Sequence, residues 1–149
     1  MKVHYSSNEY TCETPQDFFD KLNNFTLDAC AEDCTAKVDK YYTEEDDALI
    51  QKWDGVVWCN PPYGREQGKF VRKGLEEYIK NDSTTIVLLI PARPDTKLWQ
   101  DTIFPNATQI CFVRGRLRFG NSKDNAPFPC ALVVFSDNMY NLDSFGHCI

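Results

Sequence analysis

Asn60, Pro61, Pro62 and Tyr63 follow one another directly after the apolar run Val56–Cys59. Proline has no N–H to give a sheet ladder and its φ is fixed, so the tetrapeptide ends a strand and holds its carbonyls rigidly. The Asn60 side-chain oxygen and the Pro61 carbonyl can each accept one hydrogen of an amino group, while Tyr63 offers a ring for stacking. An amino nitrogen on a nucleobase is a poor nucleophile because its lone pair is delocalised into the ring. Two acceptors on its hydrogens favour a tetrahedral nitrogen whose lone pair faces an electrophile, and no covalent enzyme intermediate is required. A base in a duplex must first leave the stack to be reached. A rigid turn capped by Gly64 is the structural alternative. At average residue frequencies the tetrapeptide arises by chance in roughly one chain of this length in a few thousand.

Such a turn needs a strand to deliver it and a helix to follow. Short apolar runs alternating with helical periodicity predict an α/β fold. Thr14 as cap, Pro15 in the first turn and Asp17 as the capping-box acid predict a helix over about 14–24. A strand is expected over 25–30, then acidic loop and helical turns to Trp53, and a strand Val56–Cys59. A helix over about 66–80 precedes the run 84–90, whose IVLLI predicts a central strand covered on both faces. A helix near 96–104, a strand Gln109–Val113, a basic turn with a short strand over 114–119 and a last strand Cys130–Phe135 complete the order. The sheet is expected to be mostly parallel. The turn at Asn60 then lies at a strand carboxyl end, where open α/β sheets bind ligands.

The 149 residues, 42% hydrophobic, suffice for one core, predicting a single domain over 1–149 with its core at about 11–136. No run approaches a membrane span and the start lacks the apolar segment of a signal peptide, which predicts a cytoplasmic protein. Seven scattered cysteines without a CxxC pair, beside two histidines, argue against a disulfide framework and against a metal site. The net charge of −6 is divided unevenly. Residues 1–62 carry five basic and thirteen acidic side chains, residues 63–123 eleven basic and six acidic, so a polyanion is expected to meet the second half.

Beyond the tetrapeptide, ETPQDFFDKL, FTLDACA, EEDDAL, VVWCNPPYGR, LLIPARPDT, RGRLRFG and APFPCALVVF occur in this order. Together they resemble the phage-type DNA adenine-N6 methyltransferases over about 11–135. The resemblance implies an abbreviated Rossmann-like fold with a C-terminal antiparallel portion, S-adenosylmethionine as cofactor, and double-stranded DNA in a phage-infected or lysogenic bacterial host as partner. It implies that Asn60, Pro61, Pro62 and Tyr63 are catalytic. Thr14 and Pro15 would border the methionine part of the cofactor, Asp28 would face it with Ala29 and Cys30 alongside, and Asp47 would approach its adenine. Asp39 and Asp46 are alternatives for the ribose. The broader methyltransferase pattern has a glycine-rich loop after the first strand, whereas no glycine precedes Gly55 here; Ala29, Cys30 and Ala31 are the small residues available instead.

For DNA, the candidates are Arg65, Lys69, Arg72 and Lys73 around one helix, Arg93, and Arg114, Arg116 and Arg118, whose period-two spacing would put three guanidinia on one strand face. No separate target-recognition domain fits in the length, so loops, a homodimer partner or another subunit would supply sequence choice. Pro129-Cys130 resembles the proline–cysteine pair of cytosine-C5 methyltransferases, but lies in a late apolar strand rather than after Val56–Cys59. NPPY also occurs in methyltransferases of RNA adenine and of protein glutamine. A degenerate methyltransferase fold serving as a DNA-binding or partner subunit is the non-enzymatic alternative, motivated by the missing glycines.

Overall fold

The computed structural model of the protein describes residues 19–20, 22, 24–32, 36–117 and 128–149. Its frame is a six-stranded sheet of β1 (Leu27–Asp28), β2 (Val56–Cys59), β3 (Thr85–Pro91), β4 (Gln109–Val113), β5 (Cys130–Phe135) and β6 (Gly146–Cys148), in the spatial order β1-β2-β3-β5-β4-β6. All seven residues of β3 and all six of β5 are buried. Side chains alternate across a strand, so each of these two feeds two cores. Ile86, Leu88, Ile90, Ala131, Val133 and Phe135 enter one core; Val87, Leu89, Cys130, Leu132 and Val134 enter the other. The continuous apolar run read from sequence is this double coverage.

The first core is closed by α1 (Gln67–Lys80), which turns Phe70, Val71 and Gly74 inward. Gly74 permits the close approach: a Cβ built there lies 2.9 Å from Cγ2 of Ile86. Trp53 and Phe70 pack with ring centroids 6.3 Å apart. The Trp53 N–H donates to Oε1 of the buried Glu77 at 2.8 Å, and Lys73 Nζ lies 3.4 Å from the same oxygen, tying the helix to the segment before β2. The second core is closed by Phe19, Leu142 and Phe145 around Trp58.

The predicted α/β class holds, but the sheet is mixed. β1, β2 and β3 pair in parallel, whereas β3–β5, β4–β5 and β4–β6 are antiparallel. The expectation of a mostly parallel sheet therefore fits only its first half, because β5 inserts in reverse between β3 and β4. The predicted strand over 25–30 is limited to Leu27–Asp28, since the backbone bends at Ala29 and Cys30. Phe19 and Asp20 are helical and Asn24 has φ 68°, a left-handed residue suited to ending the predicted first helix; Thr14 and Pro15 lie outside the described residues.

The helix predicted near 96–104 is a π-helical turn, Leu98–Ile103, running into α2 (Phe104–Asn106). There the Phe104 N–H donates to the carbonyl of Trp99, five residues back, just before Pro105, which has no N–H to give. The strand predicted over 114–119 is corrected as far as the chain is described. Gly115 adopts φ 74°, and Arg114 to Leu117 form a bend and irregular chain, so Arg114 and Arg116 share no strand face. Arg118 lies outside the described residues. No element is predicted after Phe135, yet Leu142 and Phe145 are core residues and β6 extends the sheet.

Gly74→Leu should destabilise the protein by roughly 1–3 kcal/mol through overpacking against Ile86. Chemical denaturation with an unchanged m-value checks it, and a midpoint equal to that of the parent would contradict the close helix–sheet contact.

Candidate active site at the strand carboxyl ends

β1 and β2 run side by side, with Asp28 opposite Trp58 and the Ala29 N–H donating to the Trp58 carbonyl at 2.9 Å. Asn60 stands two residues beyond Trp58, so the two candidate polar residues leave the same edge of the sheet. Both are 2% exposed. Pro61 and Pro62 are buried behind Asn60, Tyr63 is half-buried, and Gly64 turns the chain at φ 90° into the approach to α1.

Asp28 is the electrostatic focus of this edge. Its Oδ1 accepts from the Cys30 N–H at 3.3 Å and its Oδ2 from the Lys37 N–H at 3.1 Å. Burial pushes its carboxyl up to about 7, against these two donors and the Lys37 charge, which act to lower it. Ala29, Cys30 and Ala31 are buried beside it and present little side-chain bulk. Tyr41 bridges to Asp28, covering the outer edge of β1. Asp47, at φ 52°, accepts from the Leu49 N–H at 3.3 Å and so caps the turn Ala48–Ile50. Its neighbour Ala48 belongs to the same buried cluster as Ala29 and Cys30. Asp46 is engaged locally, accepting from the Thr43 N–H at 2.8 Å.

Beyond Tyr63 opens a cleft of about 580 Å³ between α1 and the chain leaving β3, lined among others by Arg65, Arg72, Arg93, Trp99 and Phe128. Phe128 meets Tyr63 edge to face at 5.1 Å, and the Arg93 guanidinium lies 5.8 Å from the Phe128 ring centroid. Gly68 lacks the Cβ that would stand 3.2 Å from the Arg72 guanidinium, which leaves room for that side chain over the helix. The structure thus joins Tyr63, Arg65 and Arg93 in one cleft. Lys69 pairs with Glu66 at 3.2 Å, Lys73 with Glu77, and Arg114 and Arg116 are exposed on the bend after β4. Cys130 is buried in β5, where burial pushes its thiol up to about 12, an environment opposed to a nucleophilic thiolate.

Residues 8–142 match the DNA N-6-adenine-methyltransferase (Dam) family. The chain belongs to this family. Two phage proteins, each named DNA N-6-adenine-methyltransferase, are similar to it. That of Haemophilus phage HP1 is 31% identical over 118 residues, covering 74% of this chain and 66% of its own length. That of Escherichia phage T1 is 31% identical over 99 residues, 65% of this chain and 40% of its own. The chain thus spans just under two thirds of one relative and two fifths of the other. The family match takes in the Asn60 turn, Asp28 and the cleft alike.

Phe128 and Trp99 are cleft residues that motif reading passed over. Phe128 lies within the APFPC segment, where its only signal is a ring between two prolines; Trp99 carries none, because its place depends on the π-helical turn.

The raised Asp28 carboxyl makes a pH prediction. The folded state binds the proton more tightly than the unfolded chain, so this contribution to stability is present below about 4 and lost as pH rises through about 7. Carbon-13 NMR of the ligand-free protein should show Asp28 titrating near 7, and the matching fall in stability between pH 4 and 7 should be absent from Asp28→Asn. A midpoint near the ordinary carboxyl value of 3.8 would contradict the buried placement.

Proposed function

We propose that the protein transfers a methyl group from S-adenosylmethionine to the N6 amino group of adenine in DNA, acting on a base rotated out of the duplex. It does so as one methyltransferase domain with an abbreviated Rossmann-like frame. The observation that carries this reading is the buried Asn60 turn beside Asp28 at one end of paired parallel strands, opening on an aromatic and basic cleft, in a chain of this family.

The residues on the first strand suit a cationic cofactor. A carboxyl buried until it titrates near neutrality is stabilised in its ionised form by an incoming positive group, and the small side chains of Ala29, Cys30 and Ala31 allow close backbone approach. Asp28 with Ala29 and Cys30 would hold the cofactor, joined by Thr14, Pro15 and Asp47, and the bound sulfonium supplies the methyl group. Asn60 Oδ1 and the Pro61 carbonyl accept the two N6 hydrogens and orient the lone pair. Pro61 and Pro62 keep those acceptors fixed, so little reorganisation accompanies reaction. Tyr63 stacks on the extruded base, which requires Phe128 to yield its edge contact. Arg65, Arg72 and Arg93 meet the DNA around the cleft, and Lys69, Arg114, Arg116 and Arg118 add phosphate contacts.

Asn60→Ala should lower methyl transfer to adenine-containing duplex DNA by about 100-fold or more while leaving S-adenosylmethionine affinity nearly intact. Asp28→Ala should do the reverse in calorimetry, weakening the cofactor first. Equal turnover by Asn60→Ala, or methylation of RNA or protein glutamine in place of DNA adenine, would overturn the reading.

Counterion release lowers the logarithm of affinity by about 0.9 per neutralised phosphate for each logarithmic step in salt. Replacing Arg114 and Arg116 together should therefore flatten the salt slope of DNA binding by up to about two. A folded double variant with the parental slope and the same methylated sites would remove these two arginines from the interface.

A further inference from the structure

The second face of the sheet carries a feature the proposed reaction does not use. β4 and β6 pair antiparallel with Cys111 directly opposite Cys148. Ile110 and Ile149 exchange both backbone hydrogen bonds, at 3.2 and 2.8 Å. Alternation along the ladder then makes the Cys111–Cys148 pair one that exchanges none, with Cα atoms about 4.5 Å apart. That separation lies within the roughly 4.4–6.8 Å spanned by disulfides. Directly opposed residues put their side chains on one face of the sheet, and the Cys148 Sγ donates to the Gly146 carbonyl at 3.7 Å. The register is pinned by Gly146, where a Cβ would overlap the Phe112 carbonyl oxygen, so a slip that brought a larger residue there would clash. Cys111 is fully buried and its Sγ donates to the Leu142 carbonyl at 3.5 Å; Cys148 is half-buried on the edge strand.

We propose that Cys111 and Cys148, free thiols in this structure, are an oxidisable pair that closes to a cross-strand disulfide by exchange with a low-molecular-weight disulfide. Cys148, the more accessible, loses its proton and attacks one sulfur of the small disulfide, whose S–S bond breaks and releases one thiol. Cys111 then attacks the Cys148 sulfur of the mixed disulfide, and its proton leaves with the second small thiol. Two protein thiols are oxidised and one small disulfide is reduced to two thiols. Burial, with the adjacent Cys148 and Asp143, pushes the Cys111 thiol up to about 12, so Cys111 acts only once its partner has been activated beside it. The closed loop holds residues 112–147, including all of β5 and Phe128 of the cleft.

The test is to incubate the purified full chain with oxidised glutathione, block remaining thiols under denaturing conditions, and map peptides without reduction. A Cys111–Cys148 linked peptide lacking two hydrogens and separated by dithiothreitol is expected, with Tm raised by roughly 5–10 °C in the oxidised protein. Cys148→Ser, a substitution at the sheet edge, should lose both the link and the rise. Blocked Cys111 and Cys148 in the oxidised wild type, a link formed by other cysteines instead, or an undiminished Tm rise in Cys148→Ser would each overturn the proposal. The wild-type peptide map decides the matter even if the variant folds poorly, and none of these readouts depends on methyl transfer.

Discussion

The ladder between β2 and β3 has to stop at Cys59, and the arrangement of the site depends on that stop. Four residues pair in parallel, Val56 with Thr85 through Cys59 with Leu88. Beyond them Pro61 and Pro62 have no N–H to donate, so pairing cannot continue past the strand's end. Asn60 is delivered at a fixed height above β1 and β3 while the sheet below it is buried on both faces. An amide held this way needs no loop rearrangement to present its oxygen. The same stop frees the chain to turn at Gly64 and start α1, which forms one wall of the cleft.

The two halves of the edge differ in electrical character. Around β1 a single carboxyl is desolvated enough to titrate near neutrality, a setting that favours a compact positive group. Around Tyr63 the cleft is basic and aromatic, with Arg93 over Phe128 and Phe128 against Tyr63. Asn60 stands at the boundary. A chain of net charge −6 can therefore present a positive field to a polyanion on one side only, because its acidic residues concentrate in the first 62 positions.

Much of this was legible from residue order. The apolar run of β3, the VVWC strand and the helix after it carry their own periodicity, and the proline pair marks where the candidate site begins. What was not legible depended on long-range pairing. The reversed insertion of β5 has no local sequence sign, since a buried strand reads alike in either direction. The sequence GHC of β6 has no alternating apolar pattern; it is a strand because β4 offers it partners. Arg114 and Arg116 show the opposite error. Their spacing fits a strand, but Gly115 between them takes a left-handed conformation that a ladder does not allow. Asp28 is singled out only through the resemblance of FTLDACA to the family's first strand, and its buried electrostatics appear only when Lys37 and Tyr41 fold over it.

The place of β5 in the sheet has a consequence for synthesis. β3 and β4 are made first and run in the same direction, but they are not neighbours; β5 must enter between them and pair with both. Until residues 130–135 have left the ribosome, each of the two apolar strands carries an open edge toward the future sheet centre. Pairing Ile86 with Phe135 closes a loop of nearly fifty residues, so the entropy cost falls late and is met in one step. A nascent chain of this protein is thus an unsealed β1–β2–β3 half-sheet and a lone β4 strand, exposed to wrong edge pairing and to holding chaperones, until β5 joins them and β6 follows.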